Sequence, residues 1–170
     1  MLISHIIIMN VVFLCLGGNI GNREITLKKA VSFINSEIGF VKTFSKLYET
    51  EGWGVNNQDK YLNQCIILET NLSSEMVLKK ILDIELKLGR NRNISSTYEP
   101  RTIDIDILFY NSDIINFPHL IIPHPRLHLR KFVLIPLNEI AKEFTHPILN
   151  KTIEMLHHAC DDQCEVLLFK

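Results

Sequence analysis

The stretch Val11-Val12-Phe13-Leu14-Cys15-Leu16-Gly17-Gly18 decides the fold. An unbroken apolar run, β-branched at its start and closed by glycines, reads as a short strand buried on both faces, and therefore as the centre of a sheet. The apolar run from Ile6 to Leu16 imitates a signal sequence. No Lys or Arg precedes it, however, no small-residue cleavage site follows, and Asn10 interrupts it. It is also too short to span a bilayer. Residues 1–8 are left as an N-terminal extension, with Met9 as an alternative start.

Outward from that strand, Glu24–Ile38 carries Ile25, Leu27, Val31, Ile34 and Ile38 at mostly helical spacing and stops at Gly39. Phe40–Glu49 alternates loosely, Thr50–Lys60 is a loop, and Tyr61–Thr70 is a second long strand. Ser73 or Ser74 caps a helix over Glu75–Leu88, with Met76, Ile81, Ile84 and Leu88 on its apolar face and Gly89 as its stop. A polar loop, Asn91–Pro100, leads into a strand at Ile103–Tyr110. A turn at Asn111–Asp113 then makes Ile114–Phe117 its expected hairpin partner. Phe132–Ala141 and Thr152–His158 read as helices. The order β-α-β-β-α-β predicts an α+β, ferredoxin-like core, with helices on one face of a largely antiparallel sheet.

The 170 residues suit a single domain over 1–170, and 46% apolar with 22% charged content excludes a disordered or fibrous chain. A net charge of −1 provides no bulk attraction to nucleic acid or an anionic membrane, so neither is an expected partner. No long apolar stripe demands a dimer, and a monomer is expected. Cys15 and Cys65 lie in apolar runs as small hydrophobes, and a reduced, cytoplasmic chain follows. His157, His158, Cys160 and Cys164 cluster near the end but lack paired CxxC spacing, so no zinc site is expected there.

The chemistry concentrates in Arg101-Thr102-Ile103-Asp104-Ile105-Asp106. On a strand Asp104 and Asp106 share one face, roughly 6–7 Å apart at Cα, while Ile103, Ile105 and Ile107 share the other. Paired acids repel in a sheet unless a cation joins them, and hard oxygen ligands suit Mg²⁺. The alternative is an exposed strand face that happens to be acidic. Five of six arginines (Arg90, Arg92, Arg101, Arg126, Arg130) fall between 90 and 130, where Lys is absent until Lys131. Arginine without lysine points to bidentate recognition of phosphate or carboxylate, against the plainer reading of surface ion pairs. Acids for a cation together with an arginine cluster meet the demands of phosphoryl transfer. No Walker loop, kinase motif or nucleophile elbow is present, and Gly17–Asn22 lacks the GxGxxG spacing and reads as a tight turn.

These residues, with Gly17-Gly18-Asn19-Ile20-Gly21-Asn22-Arg23, Tyr61-Leu62-Asn63, Leu88-Gly89-Arg90-Asn91-Arg92, Ile122-Pro123-His124-Pro125-Arg126 and Arg130-Lys131-Phe132, resemble the 6-hydroxymethyl-7,8-dihydropterin pyrophosphokinases of the folate pathway over about Val11–Pro147. The resemblance implies diphosphate transfer from ATP to a reduced pterin alcohol, releasing AMP, with two Mg²⁺. It implies Asp104 and Asp106 as metal ligands. Arg90, Arg92 and Arg101, with those acids, form the catalytic set, and Glu85, His124 and Arg130 join the three arginines around ATP. It further implies that Phe132 and Tyr98 stack on the pterin, Asn63 bonds its edge, and Tyr61, Thr50 and Trp53 line or close its pocket. The loops Thr50–Lys60 and Asn91–Pro100 are expected to close over the substrates. Tyr98-Glu99 stands where Trp-Gly is common, and Glu99 puts a negative charge beside Arg101. Other readings are a non-catalytic nucleotide- or metabolite-sensing module of the same fold, and a metal-dependent transferase acting on a different heterocyclic alcohol.

Overall fold

The computed structural model describes residues 9–51, 59–90 and 100–170. Along the chain its elements are β1 (Asn10–Gly18), α1 (Arg23–Glu37), β2 (Phe40–Phe44), β3 (Tyr48–Thr50), β4 (Tyr61–Thr70), α2 (Ser74–Lys87), β5 (Asp104–Tyr110), β6 (Ile115–Phe117), β7 (Leu120–Ile122), a 3₁₀ turn at Leu127–Leu129, α3 (Lys131–Ala141), α4 (Ile153–His158) and β8 (Val166–Leu168). The two glycines that close the quoted stretch extend β1 rather than turn it, and the turn lies beyond, around Gly21.

β1 pairs antiparallel with β4 on one side and β5 on the other, and the sheet runs β5-β1-β4-β3-β8, with β2 also on β4. Since β2 and β3 together occupy the place of one strand, this is the ferredoxin-like βαββαβ order. Alternation along β1 serves two cores. Val12, Leu14 and Leu16 pack with Leu27, Ala30 and Ile34 of α1 and Val77, Ile81 and Ile84 of α2. Phe13 and Cys15 pack on the other face with Val133, Leu134 and Leu137 of α3 and Ile153 and Leu156 of α4. The sheet is therefore covered on both faces, which corrects the expectation of helices on one face only. Each fully buried leucine of β1 contributes about 2 kcal/mol.

Local signals explain the element ends. Asn22 accepts the Ile25 N–H and Ser73 the Met76 N–H, each capping its helix. Gly89, at φ +85°, ends α2 in the left-handed conformation that glycine adopts without penalty. The buried stripes differ by a position or two from those expected, because Ile25 and Met76 face solvent while Ala30 and Val77 face the core. Ile115–Phe117 pairs with Leu120–Ile122 and not with β5, since Pro118 sits in a tight turn that brings the next three residues back. β8, absent from the sequence reading, extends the sheet beyond β3. Among the described residues no helix is long and apolar enough to cross a membrane.

Candidate active site

The register of the three central strands builds the site floor. Asp104 on β5 lies opposite Gly17 on β1, which lies opposite Asn63 on β4; in the next row Asp106 faces Cys15, and Cys15 faces Cys65. All these residues share the α3 face, because Ile103, Ile105 and Ile107 belong to the other core. Gly17 is required by close approach. A Cβ there would come within 2.7 Å of Asn63 Oδ1. The amide is set from its other side too, because Asn63 Nδ2 donates to Thr50 Oγ1 at 2.9 Å.

Two cavities meet at the acid pair. One is lined by Thr50, Tyr61, Asn63, Arg101, Arg130 and Phe132, with Cys15, Gly17 and Glu51 beneath or beside them, and both aspartates open into it. Its walls pair flat apolar rings with amide and hydroxyl groups, as a planar polar heterocycle requires. The Arg130 guanidinium lies over the Phe132 ring, 5.6 Å from its centroid. The second cavity also contains Asp104 and Asp106. Arg90 and His124 provide its polar wall, and Leu78, Ile107 and Leu120 are among its apolar residues.

Asp104 is held between two guanidinium groups, with Arg90 Nη1 on Oδ1 and Arg101 Nη1 on Oδ2. Arg101 is fixed in turn through its backbone. Its N–H donates to Asn19 Oδ1 at 2.8 Å, and its carbonyl accepts the Asn19 N–H at 3.0 Å. Asn19 is thus a positioning residue the sequence reading missed, although it sits in the Gly-rich turn that reading quoted. Glu85, which the resemblance implies among the residues around ATP, is enclosed at 1% exposure. Its Oε1 accepts Arg90 Nη1 at 2.6 Å and the Ile105 N–H at 2.8 Å, which anchors Arg90 to the start of β5.

Burial, then the neighbouring Asp104 charge, pushes the Asp106 carboxyl up to about 7 against the opposing pull of Arg130 and Arg90. Such a pair of acids is under-compensated, and a hard divalent cation would relieve it. Among the described residues no group of three or more His, Cys, Asp or Glu could hold a metal by itself. The donor set therefore fits an ion that brings phosphate and water ligands with it, as Mg²⁺ does. Burial and the nearby Arg130 and Arg126 hold His124 at about 4, hence neutral. Its Nδ1 accepts the Arg126 N–H at 3.2 Å, so Nε2 carries the proton as a donor for an anionic oxygen.

Thus Arg90, Arg101, Asp104, Asp106, His124, Arg130, Thr50, Tyr61, Asn63 and Phe132 converge, and Glu85 supports them from beneath. Arg92, Trp53 and Tyr98 lie outside the described residues, as does most of the two loops expected to close.

Three histidines, His124, His146 and His157, are held below their ordinary value by burial first. His146 accepts the Ile148 and Leu149 N–H groups at Nδ1, bonds a protonated ring would lose. The unfolded chain therefore binds more protons at these positions as pH falls through about 6.5, and stability falls with it. Asp106 acts oppositely, because its raised value makes the folded state bind the extra proton between about 4 and 7. In Asp106→Asn, which lacks the opposing group, the urea midpoint is therefore expected to drop between pH 7.5 and pH 5; a midpoint that rises would contradict these protonation states.

A family model described as 7,8-dihydro-6-hydroxymethylpterin-pyrophosphokinase matches residues 13–142. The chain is 38% identical over 135 residues to the Bacillus subtilis 2-amino-4-hydroxy-6-hydroxymethyldihydropteridine pyrophosphokinase, covering 79% of this chain and 80% of that one. It is 36% identical over 146 residues to the protein of the same description from Aquifex aeolicus, covering 86% and 89%. In fold it is similar to a crystal structure of Plasmodium falciparum HPPK-DHPS with pterin and p-hydroxybenzoate, at a TM-score of 0.73 and 18% identity. That match covers 89% of this chain and 43% of the longer one. The acid pair between two cavities and the matched length lead to one assignment: this chain belongs to the 7,8-dihydro-6-hydroxymethylpterin-pyrophosphokinase family.

Proposed function

We propose that this protein transfers diphosphate from ATP to the hydroxymethyl oxygen of 6-hydroxymethyl-7,8-dihydropterin, with Mg²⁺, releasing AMP in a step of folate synthesis. The observation that carries the reading is the position of Asp104 and Asp106 in the wall shared by two cavities. One cavity has the rings and the fixed amide for a pterin; the other has Arg90, neutral His124 and apolar surface for a nucleotide. The groups to be joined would then meet at the acids.

In this reading Phe132 and Tyr61 hold the bicycle by its faces, and Asn63, locked by Thr50 and Gly17, reads its edge. A wrong ring would leave that buried amide unpaired, which is how the pocket discriminates. The hydroxymethyl oxygen attacks the β-phosphorus of ATP, the bond from that phosphorus to the α-phosphate oxygen breaks, AMP leaves and the hydroxyl gives up its proton. Asp104 and Asp106 would hold Mg²⁺, which when bound offsets phosphate charge and lowers the pKa of the attacking hydroxyl. Arg101 and Arg90 turn from Asp104 toward the phosphates as charge builds there, and His124 Nε2–H donates to a phosphate oxygen. Each contact strengthens in the transition state, where rate is gained.

Product analysis tests the reading. Incubated with ATP, Mg²⁺ and 6-hydroxymethyl-7,8-dihydropterin, the protein is expected to form AMP and pterin diphosphate in equal amounts, and to stop when a chelator removes Mg²⁺. ADP as the product, or turnover without the pterin, would overturn it.

A further inference from the structure

The helix that carries Phe132 begins against the usual capping rule. Arg130 occupies the N-cap of α3, where Ser, Thr, Asp or Asn would ordinarily accept a first-turn N–H, and it makes no side-chain cap bond. Its guanidinium instead lines the first cavity, over Phe132 and near Asp106. The cap comes from elsewhere: Asp162, 31 residues downstream, accepts the Lys131 N–H on Oδ2 at 2.9 Å. Its other oxygen accepts the Cys164 N–H at 3.0 Å, which turns the chain toward β8. β8 then pairs with β3 through Val166 opposite Thr50, and the Phe169 N–H donates to the Leu47 carbonyl at 2.9 Å. Thr50 is the residue that sets the Asn63 amide. One short segment, lying beyond the 13–142 match, thus fastens both the Phe132 wall and the Thr50 wall of the same cavity.

We infer that the C-terminal segment from Cys160 is a strap that holds the two pterin-side walls at a fixed separation, with Asp162 as its positioning residue. With Asp162 supplying the cap of its helix, the Arg130 side chain lines the cavity. The carboxylate also complements the positive end of α3, an interaction an amide makes only in part. This inference rests on the proposed function for the identity of the ligand, and its test separates the two.

The test is steady-state kinetics on full-length wild type, Asp162→Ala and Asp162→Asn, varying pterin and ATP independently. Asp162→Ala is expected to raise KM for the pterin about tenfold while KM for ATP moves less than about twofold. Asp162→Asn, whose single side-chain oxygen can accept only one of the two N–H groups, is expected to recover part of that loss, with pterin KM raised about three- to fivefold. Unchanged pterin KM in Asp162→Ala, equal loss for both substrates, or no recovery in Asp162→Asn would each overturn the strap. Near-ultraviolet circular dichroism and ATP-analogue binding on the same samples identify a variant that has failed to fold; in that case Asp162→Asn alone decides, a rise of threefold or more in pterin KM alone supporting the strap and a smaller or unselective change overturning it. Absence of wild-type turnover, by contrast, sinks the proposed function.

Discussion

Replacing Asp106 with Ala is expected to lower kcat at least about 10³-fold while leaving the protein folded, because a cation site at a developing charge is worth several kcal/mol. The fold should tolerate the change. Asp106 lies on the cavity face of β5, and both its burial and the adjacent Asp104 disfavour its charged form. Removing it relieves repulsion, so the urea midpoint above pH 7 should hold or rise slightly. Asp106→Asn should lose activity as severely, since it keeps the shape and loses the charge. Turnover of either variant within tenfold of wild type would remove the acid pair from the mechanism.

The largest effect on stability is expected at Glu85→Ala. This carboxylate is fully enclosed and serves two partners with one oxygen, the Arg90 guanidinium and the Ile105 N–H. Truncation leaves a buried amide without an acceptor and a mostly enclosed guanidinium with less countercharge, a loss of about 3 kcal/mol. Arg90 retains Asp104 and some solvent access, which keeps the figure at the low end for a broken buried pair. Glu85→Gln, still able to accept, should cost about 1 kcal/mol. Urea unfolding checks both. If Glu85→Ala unfolds at the wild-type midpoint, Glu85 does not anchor β5.

These two acids illustrate what the sequence could reveal. Asp104 and Asp106 were legible because strand parity is a local property: any strand over 104–110 puts both on one face, and Ile103, Ile105 and Ile107 identify the opposite face as core. Ser73 as a cap, Gly89 as a stop and Tyr61–Thr70 as a strand were legible for the same reason. Glu85 was not, because α2 shows its neighbours' spacing but not that β5 and Arg90 close over it. Register hid the contributions of Gly17 and Cys15 to the cavity floor, since neither residue type signals chemistry alone. The pairing of Ile115–Phe117 with Leu120–Ile122, and of β8 with β3, depended on which backbone edge was left open. Asp162 was invisible because a cap supplied from a distance leaves no motif beside the helix it serves. Arg130 at an N-cap is a local irregularity that falls where function and capping compete for the same position.

A crystal structure with a non-hydrolysable ATP analogue, Mg²⁺ and the pterin alcohol tests the central claim most directly. It should place the pterin against Asn63 and Phe132, the nucleotide phosphates by Arg90 and His124, and Mg²⁺ on Asp104 and Asp106 between them. Both ligands in a single cavity, or the metal away from these two carboxylates, would contradict it.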